Sequence, residues 1–481
     1  MITILDAYSD EPSGLGVPPY LGTYPRYLYG ELASQKPNYL TIDDLRNALS
    51  ERKKNPHKTD IGIANLTRTK EESLRILKDT ETLYVTGGVH TPGKYLSANP
   101  ASMGELSRLL PNINAEKILV GPAARGTQFQ GGKKAEKPLA LFNEVDAEFG
   151  EKSFDKIEQQ AIPGAALLKQ IPYPVIVEIE TGRGCLRAKH CSFCTEGLKK
   201  ISYRDSKDIL NELGALREAG VQHIRFGKQA DFYSYKYHRP LEIEKILKGA
   251  SQLGFKTIHI DNADPNFVMG KHGEKITELI VKYCTSGNVG AFGVESFDPA
   301  VQQQNMLNAS NDMIMDAIRR INEFGAVTGE NGMPTFLPGI NLIFGLKGES
   351  RASGELNMQY LRQIMKENLF LRRINIRQVV KYPGTPLFDE QYKVKTKRYY
   401  WKWRREIRTE IDHLMLERIV PAGTIMKDVR MEVHDGNNTF GRQFGTYPLV
   451  VGVKEKLDIQ KAYTLEITGH MLRSLVGKVI L

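Results

Sequence analysis

Three of the four cysteines in this 481-residue chain lie within one ten-residue stretch. They are Cys185, Cys191 and Cys194, in the segment TGRGCLRAKHCSFCTEG, with the spacing C-x5-C-x2-C. Thiolates bind iron–sulfur clusters and zinc, and such clustering indicates a metal site in a reducing compartment rather than a disulfide framework. In a cubane of four irons, three cysteine ligands leave one iron open. Structural zinc requires four ligands, and His190 could supply the fourth, so the spacing alone leaves both metals open.

The cysteine segment, and about residues 172–390 as a whole, resembles the radical S-adenosylmethionine (SAM) superfamily. Phe193, directly before the last cysteine, matches an aromatic residue that packs near adenine in that superfamily. The usual spacing there is C-x3-C-x2-C, so the first gap in this chain is longer and the cluster loop differs in shape. The resemblance implies that the three cysteines hold a [4Fe–4S] cluster whose open iron binds SAM. It also implies that an electron from a donor such as ferredoxin or flavodoxin cleaves SAM to a 5′-deoxyadenosyl radical.

Further motifs of the superfamily follow in order along the chain. FGKQAD (226–231) stands in the place of the motif that receives the SAM amino group, and GVES (293–296) resembles the motif that meets the ribose or the amino acid part. NLIFGLKGES (341–350) resembles the glycine motif near adenine, and KYPGTPL (381–387) resembles the loop after the sixth strand. The residues that the resemblance assigns to SAM are Phe193, Gly227, Lys228, Gln229, Glu295, Ser296, Asn341 and Gly345.

Alternating strand and helix patterns supply the elements that must position these motifs. Six apolar, strand-like runs lie between residues 174 and 390, and the segments between them, such as 206–219 and 311–324, suit helices. Six βα units predict a partial (β/α)6 barrel over 174–390. The strand-like runs are 175–180, 222–227, 257–261, 289–295, 339–345 and 374–380.

An α/β domain is predicted before this barrel, over residues 1–140. Strand-like runs at 2–8, 61–66, 83–86 and 117–120 alternate with helical patterns such as 102–110, which favours a Rossmann-like, doubly wound parallel sheet. Ligands of such sheets bind beyond the carboxyl ends of the strands. Residues 141–173 are interpreted as a linker.

The glycine-rich loops of this domain resemble those of the cobalamin-binding domain that precedes many radical SAM domains. The resemblance implies that cobalamin binds there, although no Asp-x-His-x-x-Gly motif offers a lower cobalt ligand. The alternative is a Rossmann-like domain that only shapes the substrate site. The residues assigned to cobalamin are Leu15, Gly16, Gly87, Gly88 and Gly121.

The last part of the chain carries features typical of RNA binding. Residues 391–418 form a basic, aromatic and helical segment, and residues 419–481 read as a small all-β barrel that resembles the TRAM domain of tRNA methylthiotransferases. Cations neutralise phosphates and aromatic rings stack on unpaired bases. The alternatives are a solvated basic helix and a barrel that only packs. The residues predicted to contact RNA are Lys397, Arg398, Trp401, Trp403, Arg404, Arg405 and Arg442.

Composition restricts the class of protein further. The formal net charge is +10, which favours polyanionic partners. The N-terminal stretch lacks the features of a signal peptide, and no stretch approaches 18 consecutive apolar residues, so we expect a cytoplasmic protein without a membrane span. Cys284 lies on an apolar helical face and is expected to be a buried structural residue.

Together these features predict a radical SAM enzyme that modifies RNA, with tRNA as the first candidate, by cobalamin-dependent methylation. No cysteine precedes Cys185, so the second cluster that methylthiotransferases use for sulfur insertion has no ligands in the N-terminal domain. The alternatives are a methylthiotransferase-like modification without that second cluster, and radical chemistry on a lipid, a peptide or a small metabolite. A non-catalytic RNA-binding protein with a structural metal is the third class.

Overall fold

The computed structural model describes residues 1–8, 20–50, 63–88, 99–128, 131–149, 152–307, 309–392 and 397–480. Within these ranges the chain forms a mixed α/β structure with parallel sheets and a small closed β-barrel at the C-terminal end, which confirms the predicted fold class. No helix among the described residues is both long enough and apolar enough to cross a membrane.

The N-terminal region is built around a five-stranded parallel sheet in the order β3-β1-β4-β5-β6. Helix α2 begins at a capping box in which the Thr41 side chain and the Asp44 carboxylate bond each other's backbone N–H groups. The strands are β1 (Ile2–Asp6), β2 (Tyr20–Leu21), β3 (Asn38–Thr41), β4 (Thr82–Thr86), β5 (Glu116–Val120) and β6 (Glu144–Asp146). The helices are α1 (Thr23–Glu31), α2 (Ile42–Ala48), α3 (Lys70–Asp79), α4 (Met103–Leu109) and α5 (Phe154–Gly164).

Two sequence-based expectations for this region are wrong. Residues 63–66 of the predicted strand 61–66 are irregular, and β3 takes the place beside β1. Asn65 there is held by side chains, because its N–H donates to Asp43 at 2.9 Å and its carbonyl accepts from Thr41 Oγ1 at 2.7 Å. The predicted linker 141–173 carries β6, which pairs with β5, and α5, which packs on α1.

The central region is a curved parallel wall of six strands that follows the predicted order: β7, β10, β11 continued by β12, β13, β14 and β15. The short β2 of the N-terminal region adds an edge strand beside β7. The wall consists of two four-stranded sheets, β2-β7-β10-β11 and β12-β13-β14-β15, which join at Asp261, whose carbonyl accepts from Ala291 N at 2.7 Å. The strands are β7 (Ile176–Ile179), β8 (Gly182–Arg183), β9 (Ser202–Tyr203), β10 (His223–Phe226), β11 (Thr257–Ile260), β12 (Asn262–Ala263), β13 (Asn288–Glu295), β14 (Phe336–Phe344) and β15 (Arg373–Gln378). The helices are α6 (Ser206–Glu218), α7 (Tyr235–His238), α8 (Pro240–Gln252), α9 (Pro265–Val268), α10 (Gly273–Tyr283), α11 (Pro299–Gln304), α12 (Asn311–Gly325), α13 (Arg351–Lys366) and α14 (Pro386–Asp389).

A buried charge network fixes the N-terminal region to this barrel. Arg26 of α1 pairs with Glu212 of α6, and Glu212 also pairs with Arg204. Arg26 Nη2 donates to the carbonyl of Glu178 in β7 at 2.6 Å, and β2 adds an edge strand beside β7. Each buried charge therefore has an opposite partner, as burial requires.

The C-terminal region is a helix followed by a closed five-stranded barrel in the order β16-β17-β18-β20-β19. Helix α15 (Lys397–Glu406) continues through a π-helical turn (Ile407–Asp412) into α16 (His413–Ile419). The strands are β16 (Ile425–Asp435), β17 (Asn438–Arg442), β18 (Val450–Val453), β19 (Ala462–His470) and β20 (Leu475–Val479).

The loop between β17 and β18 closes the amino-terminal end of the six-stranded wall. The Phe444 ring stacks on His223 at 3.9 Å between centroids. The N–H of Thr446 donates to His259 Nδ1 at 2.8 Å, and Tyr447 Oη donates to Asp261 at 2.7 Å. We call this loop, residues 443–447, the plug.

Candidate active site

A cavity of about 220 Å³ lies at the carboxyl ends of the central strands. Cys185, Cys191 and Cys194 line it from one side, and the ends of β13, β14 and β15 line it from the other. Ligands of parallel α/β sheets bind at this edge. The three clustered cysteines therefore lie where the fold places reacting groups.

The cysteine loop is anchored at both of its ends. It follows β8 through Gly184, whose φ of +77° is in the left-handed region and whose added Cβ would meet the Lys199 carbonyl at 2.9 Å. Ser192 N donates to the Asn305 carbonyl at 3.0 Å, and Leu387 N donates to the Ser192 carbonyl at 2.8 Å. The loop is thus held by α11 on one side and by the start of α14 on the other.

Burial keeps these thiols neutral in the free protein. Desolvation raises the pKa of Cys191 to about 11 despite the nearby Arg187, and it raises the pKa of Cys185 and of Cys194 above the ordinary range. Arg187 Nη1 donates to Cys191 Sγ at 2.9 Å, and its Nη2 donates to the Met306 carbonyl at 2.7 Å. The guanidinium is therefore placed to stabilise negative charge on sulfur.

His190 is turned toward the backbone of the same loop. Its Nε2 lies 3.3 Å from the Cys185 carbonyl, and its ring fills the space where a Cβ on Gly197 would stand. Within the described ranges, no three side chains of His, Cys, Asp or Glu form a group that could hold one metal ion.

Glu295 is the most unusual residue of the opposite wall. It ends β13 with a φ of +60°, a backbone conformation that residues other than glycine rarely adopt. Such backbone strain concentrates at functional sites. Its Oε2 is buried without a hydrogen-bond partner among the described residues. Burial raises its pKa to about 8, against the opposing effect of Arg377. The unpartnered Oε2 can accept a hydrogen bond from a ligand, and a cationic ligand group would favour the ionised form of the carboxyl.

Several lining residues were not identified from the sequence. Asn375 and Arg377 alternate along β15, and Asn375 contacts Asn341 at 3.1 Å between their side-chain amides. Polar residues at every second position of an apolar strand indicate an inward polar face, so the pattern INIRQ carried this signal. The other polar lining residues that were not identified from the sequence are Arg187, Thr195, Glu196, Asn262, Asp264, Gln378 and Tyr382.

The SAM-assigned residues fall into two groups. Phe193, Glu295 and Asn341 line the cavity. Gly227, Lys228, Gln229, Ser296 and Gly345 lie at the same edge but outside its lining. Lys228 is buried between Glu180, at 3.3 Å, and the Tyr24 ring, at 4.1 Å, so it faces the N-terminal region.

The carboxyl edge of the N-terminal sheet faces the same side of the barrel. Gly87 and Gly121 follow the adjacent strands β4 and β5, and the Gly88 carbonyl accepts from Thr127 Oγ1 at 3.1 Å. Gly132 N donates to the Val379 carbonyl at 2.7 Å, and Val379 lines the cavity. Leu15 and Gly16 lie outside the described residues.

The residues assigned to RNA are spread over the C-terminal region. On α15, Trp401 is 60% exposed, and the Arg404 guanidinium lies 5.3 Å from the centroid of its ring. Trp403 is only 6% exposed, because its ring packs against Gly354 in the space that a larger side chain there would fill. Arg405 lies in the last turn of α15. The side chains of Lys397 and Arg398 lie outside the described residues. Arg442, at the end of β17, is buried.

Cys284 caps the C-terminal end of α10 and packs against the main core, away from the cavity lining. Desolvation raises the pKa of its thiol above the ordinary range.

Comparison with known proteins shows the family of the chain. No family model matches it. An uncharacterised protein of Methanocaldococcus jannaschii is 41% identical, with 99% of this chain and 93% of that protein covered. An uncharacterised protein of Archaeoglobus fulgidus is 38% identical, with 94% of this chain and 85% of that protein covered. The chain belongs to the same family as these archaeal proteins.

Solved structures show a more distant similarity. The radical SAM methyltransferase TsrM from Kitasatospora setae, with tryptophan and a SAM analogue bound, has a TM-score of 0.48 at 12% identity, over 80% of this chain and 75% of that one. The cobalamin-dependent radical SAM enzyme OxsB, with aqua-cobalamin and SAM bound, has a TM-score of 0.49 at 11% identity, over 85% of this chain and 55% of that one.

Proposed function

We propose that this protein is a radical SAM enzyme that holds a [4Fe–4S] cluster on Cys185, Cys191 and Cys194. The observation that carries the proposal is the placement of the three thiols on one wall of a cavity at the carboxyl ends of the strands. Three soft sulfur donors with no further cysteine in the lining fit an iron–sulfur cluster with one open iron. His190 faces the backbone of its own loop, which disfavours the zinc alternative.

The opposite wall fits the polar part of SAM. Glu295 presents a buried carboxyl oxygen without a hydrogen-bond partner among the described residues, which suits an amino group or a hydroxyl. Arg377 suits a carboxylate, and Asn341 with Asn375 offers amides at the same end of the sheet. Phe193 lines the cavity beside the last cysteine and suits a flat base. When bound, the cluster supplies the electron that cleaves SAM.

The cluster is tested by anaerobic reconstitution with iron and sulfide. We expect a brown protein with broad visible absorption that produces 5′-deoxyadenosine from SAM under dithionite. Replacing any of the three cysteines by Ala should remove most of the iron and all of this product, because one ligand is lost. Cys284→Ala is the matched control and should keep both. A colourless protein with stoichiometric zinc would refute the proposal.

Cobalamin is proposed to bind between the N-terminal sheet and this cavity. The support is geometric, because the carboxyl ends of β4 and β5 and those of the barrel strands are joined by residues 131–135, which pair with 379–381. The small residues Ala7, Gly87 and Ala123 at that edge suit a large flat ligand. Cobalamin bound there would serve as the methyl donor.

Gel filtration after incubation with hydroxocobalamin tests this binding. We expect corrin absorbance to co-elute with the protein. Gly121→Val should reduce it, because Gly121 has a φ of +92° and its added Cβ would meet the Gly87 carbonyl at 3.2 Å. Gly254→Val, also at positive φ but with open space around its Cβ, is the control for backbone strain. Absence of corrin from the wild-type protein peak would contradict the proposal.

The substrate is proposed to be RNA, with tRNA as the first candidate. The support is the net charge of +10 and the exposed Trp401 beside Arg404 on α15. Arg404→Ala, Arg405→Ala and Trp401→Ala should each weaken tRNA binding, and the charge variants should also reduce its salt dependence. Arg319→Ala, an exposed ion-paired arginine on α12, is the control. Unchanged tRNA binding in all three variants would favour a peptide, lipid or metabolite substrate.

A further inference from the structure

A second cavity, of about 130 Å³, lies at the opposite end of the barrel and is lined by five arginines. It is enclosed by the start of β15, the helix from the π turn through α16, and the small barrel. Among the described residues, Asp412 is the only acid in its lining. We call it the arginine cavity; its arginines are Arg372, Arg373, Arg408, Arg442 and Arg473.

Arg442 is the clearest indication of a ligand. Its side chain is 1% exposed, and its Nε donates to the Glu432 carboxylate at 2.8 Å. Its Nη1 and Nη2 are buried without a hydrogen-bond partner among the described residues, although the residue lines the cavity. A buried donor without an acceptor is costly, and more so when it is charged. An acceptor in the cavity would remove that cost.

Arg408 repeats this arrangement from the helix side. Its Nη1 pairs with Asp412 and donates to the Ile374 carbonyl at 3.0 Å, whereas its Nε is buried without a partner among the described residues. Two guanidinium groups from different elements thus have unsatisfied donors at one cavity. Forked guanidinium donors match the geometry of phosphate oxygens.

Arg372 and Arg373 add charge at the start of β15. Arg372 donates to the Tyr447 carbonyl, and the Arg373 guanidinium lies 3.8 Å from the centroid of the Tyr447 ring. Desolvation, with repulsion from neighbouring arginines, lowers the pKa of Arg372 to about 9 and that of Arg373 to about 10. Among the described residues, Asp412 pairs with Arg408, Glu432 pairs with Arg442, and Asp261 lies near Arg373 deeper in the barrel. The arginines of the cavity lining therefore outnumber its acids.

We propose that the arginine cavity binds a phosphate group. The cavity volume is roughly ten times the minimum volume that can hold one water molecule. This size suits a phosphate and its hydration rather than a nucleobase. The ligand chemistry is a phosphate oxyanion, either free or carried at the end of a nucleotide or an RNA strand. The site lies at the end of the barrel away from the cysteines, so it does not depend on the proposed reaction.

The test uses the full-length protein and measures its melting temperature at constant ionic strength. We expect inorganic phosphate to raise the melting temperature above the value in chloride, and Arg442→Met to weaken phosphate binding roughly tenfold or more. Because Arg442→Met also leaves the buried Glu432, within the described ranges, with only the longer contact to Arg430 at 3.5 Å, Arg373→Met is the second variant. Loss of repulsion should raise its melting temperature without phosphate, whereas its response to phosphate should fall. Arg362→Met, which removes an exposed arginine outside the lining, is the control.

Adenosine 5′-monophosphate and short RNAs with a 5′-phosphate or a 5′-hydroxyl distinguish the sources. Tighter binding of the 5′-phosphorylated RNA, with competition by inorganic phosphate, would support a terminal phosphate. Binding of inorganic phosphate without any gain from the RNA phosphate would support a free anion. The proposal is overturned if phosphate stabilises the wild-type protein no more than chloride does, or if Arg442→Met and Arg373→Met both respond to phosphate as the wild type does.

Discussion

The two cavities of the barrel lie at opposite ends of the same strands and contain different chemistry. The cavity at the carboxyl ends combines thiols, the buried carboxyl of Glu295, amides and arginines. The arginine cavity contains five arginines and one acid in its lining. A mixed lining suits a ligand with several functional groups, whereas charges of one sign suit a compact anion. Strand β15 contributes to both, with Arg373 at one end and Arg377 nearer the other.

The cavities also differ in what closes them. The carboxyl-end cavity is bordered by the N-terminal region through residues 131–135, whereas the arginine cavity is bordered by the small barrel and by Tyr447 of the plug. Each flanking region therefore completes a different site on one barrel. If the cavities act independently, a change at one should leave the other unaffected.

The largest expected effect is the loss of SAM cleavage when one thiol is removed, and it tests whether the two cavities act independently. Cys194→Ala should abolish production of 5′-deoxyadenosine from SAM, because the cluster loses a ligand. The same variant should keep the rise in melting temperature on adding inorganic phosphate, since Cys194 lies at the far end of the barrel. Both readouts are measured on one preparation, with Cys284→Ala as control. If the phosphate response also disappears, the two cavities are coupled and the comparison fails.

A smaller effect is expected from pH at the contact between plug and barrel. Burial lowers the pKa of His259 to about 4 and that of His223 to about 3. Because His259 Nδ1 accepts from Thr446 N, the neutral ring is the form that holds the plug. Both pKa values lie below their unfolded values, so stability is complete above about pH 6.5 and falls as the pH decreases toward the folded values. At pH 5 the loss should be about 2 kcal/mol per histidine.

Urea unfolding at pH 7, 6 and 5 measures this loss. His259→Asn keeps an acceptor near the position of Nδ1 but does not titrate, so its loss between pH 7 and pH 5 should be about half that of the wild type. SAM cleavage is followed at each pH to separate the plug from the active site. Equal pH dependence in variant and wild type would show that His259 does not contribute.

Much of the barrel could be predicted from sequence because its local signals agree with its packing. The six apolar runs became β7, β10, β11, β13, β14 and β15, and the pattern 311–324 became α12 (Asn311–Gly325), capped by Ser310. The N-terminal sheet was harder to predict. The apolar run at 61–66 has the composition of a strand, but side chains of Thr41 and Asp43 bond its backbone instead. Propensity does not register such competition from distant side chains.

The two cavities show the same difference between residues that are close in sequence and residues that only the fold brings together. Cys185, Cys191, Cys194 and Phe193 lie together because one short loop carries them, and the spacing made this visible. The arginine cavity collects residues from β15, β17, the π turn and the β19–β20 loop. Nothing in the sequence around Arg372 or Arg442 indicates that they meet, because only tertiary packing brings them together.

The smallest expected effect concerns the residue that lies between the two cavities. Tyr447 lines the arginine cavity with its ring, and its hydroxyl donates to Asp261 inside the barrel. Tyr447→Phe keeps the ring under Arg373 and the carbonyl that accepts from Arg372, and it removes only the bond to a buried carboxylate. The free energy of unfolding should fall by about 1–2 kcal/mol, because the buried Asp261 carboxyl then keeps, among the described residues, only the ion pair of its Oδ2 with Arg225 at 3.7 Å and loses the hydrogen bond to its Oδ1. If the phosphate response and SAM cleavage remain unchanged, the hydroxyl is structural and the cavities are separate. If both change together, Tyr447 and Asp261 connect them, and the two ends of the barrel must be treated as one coupled system.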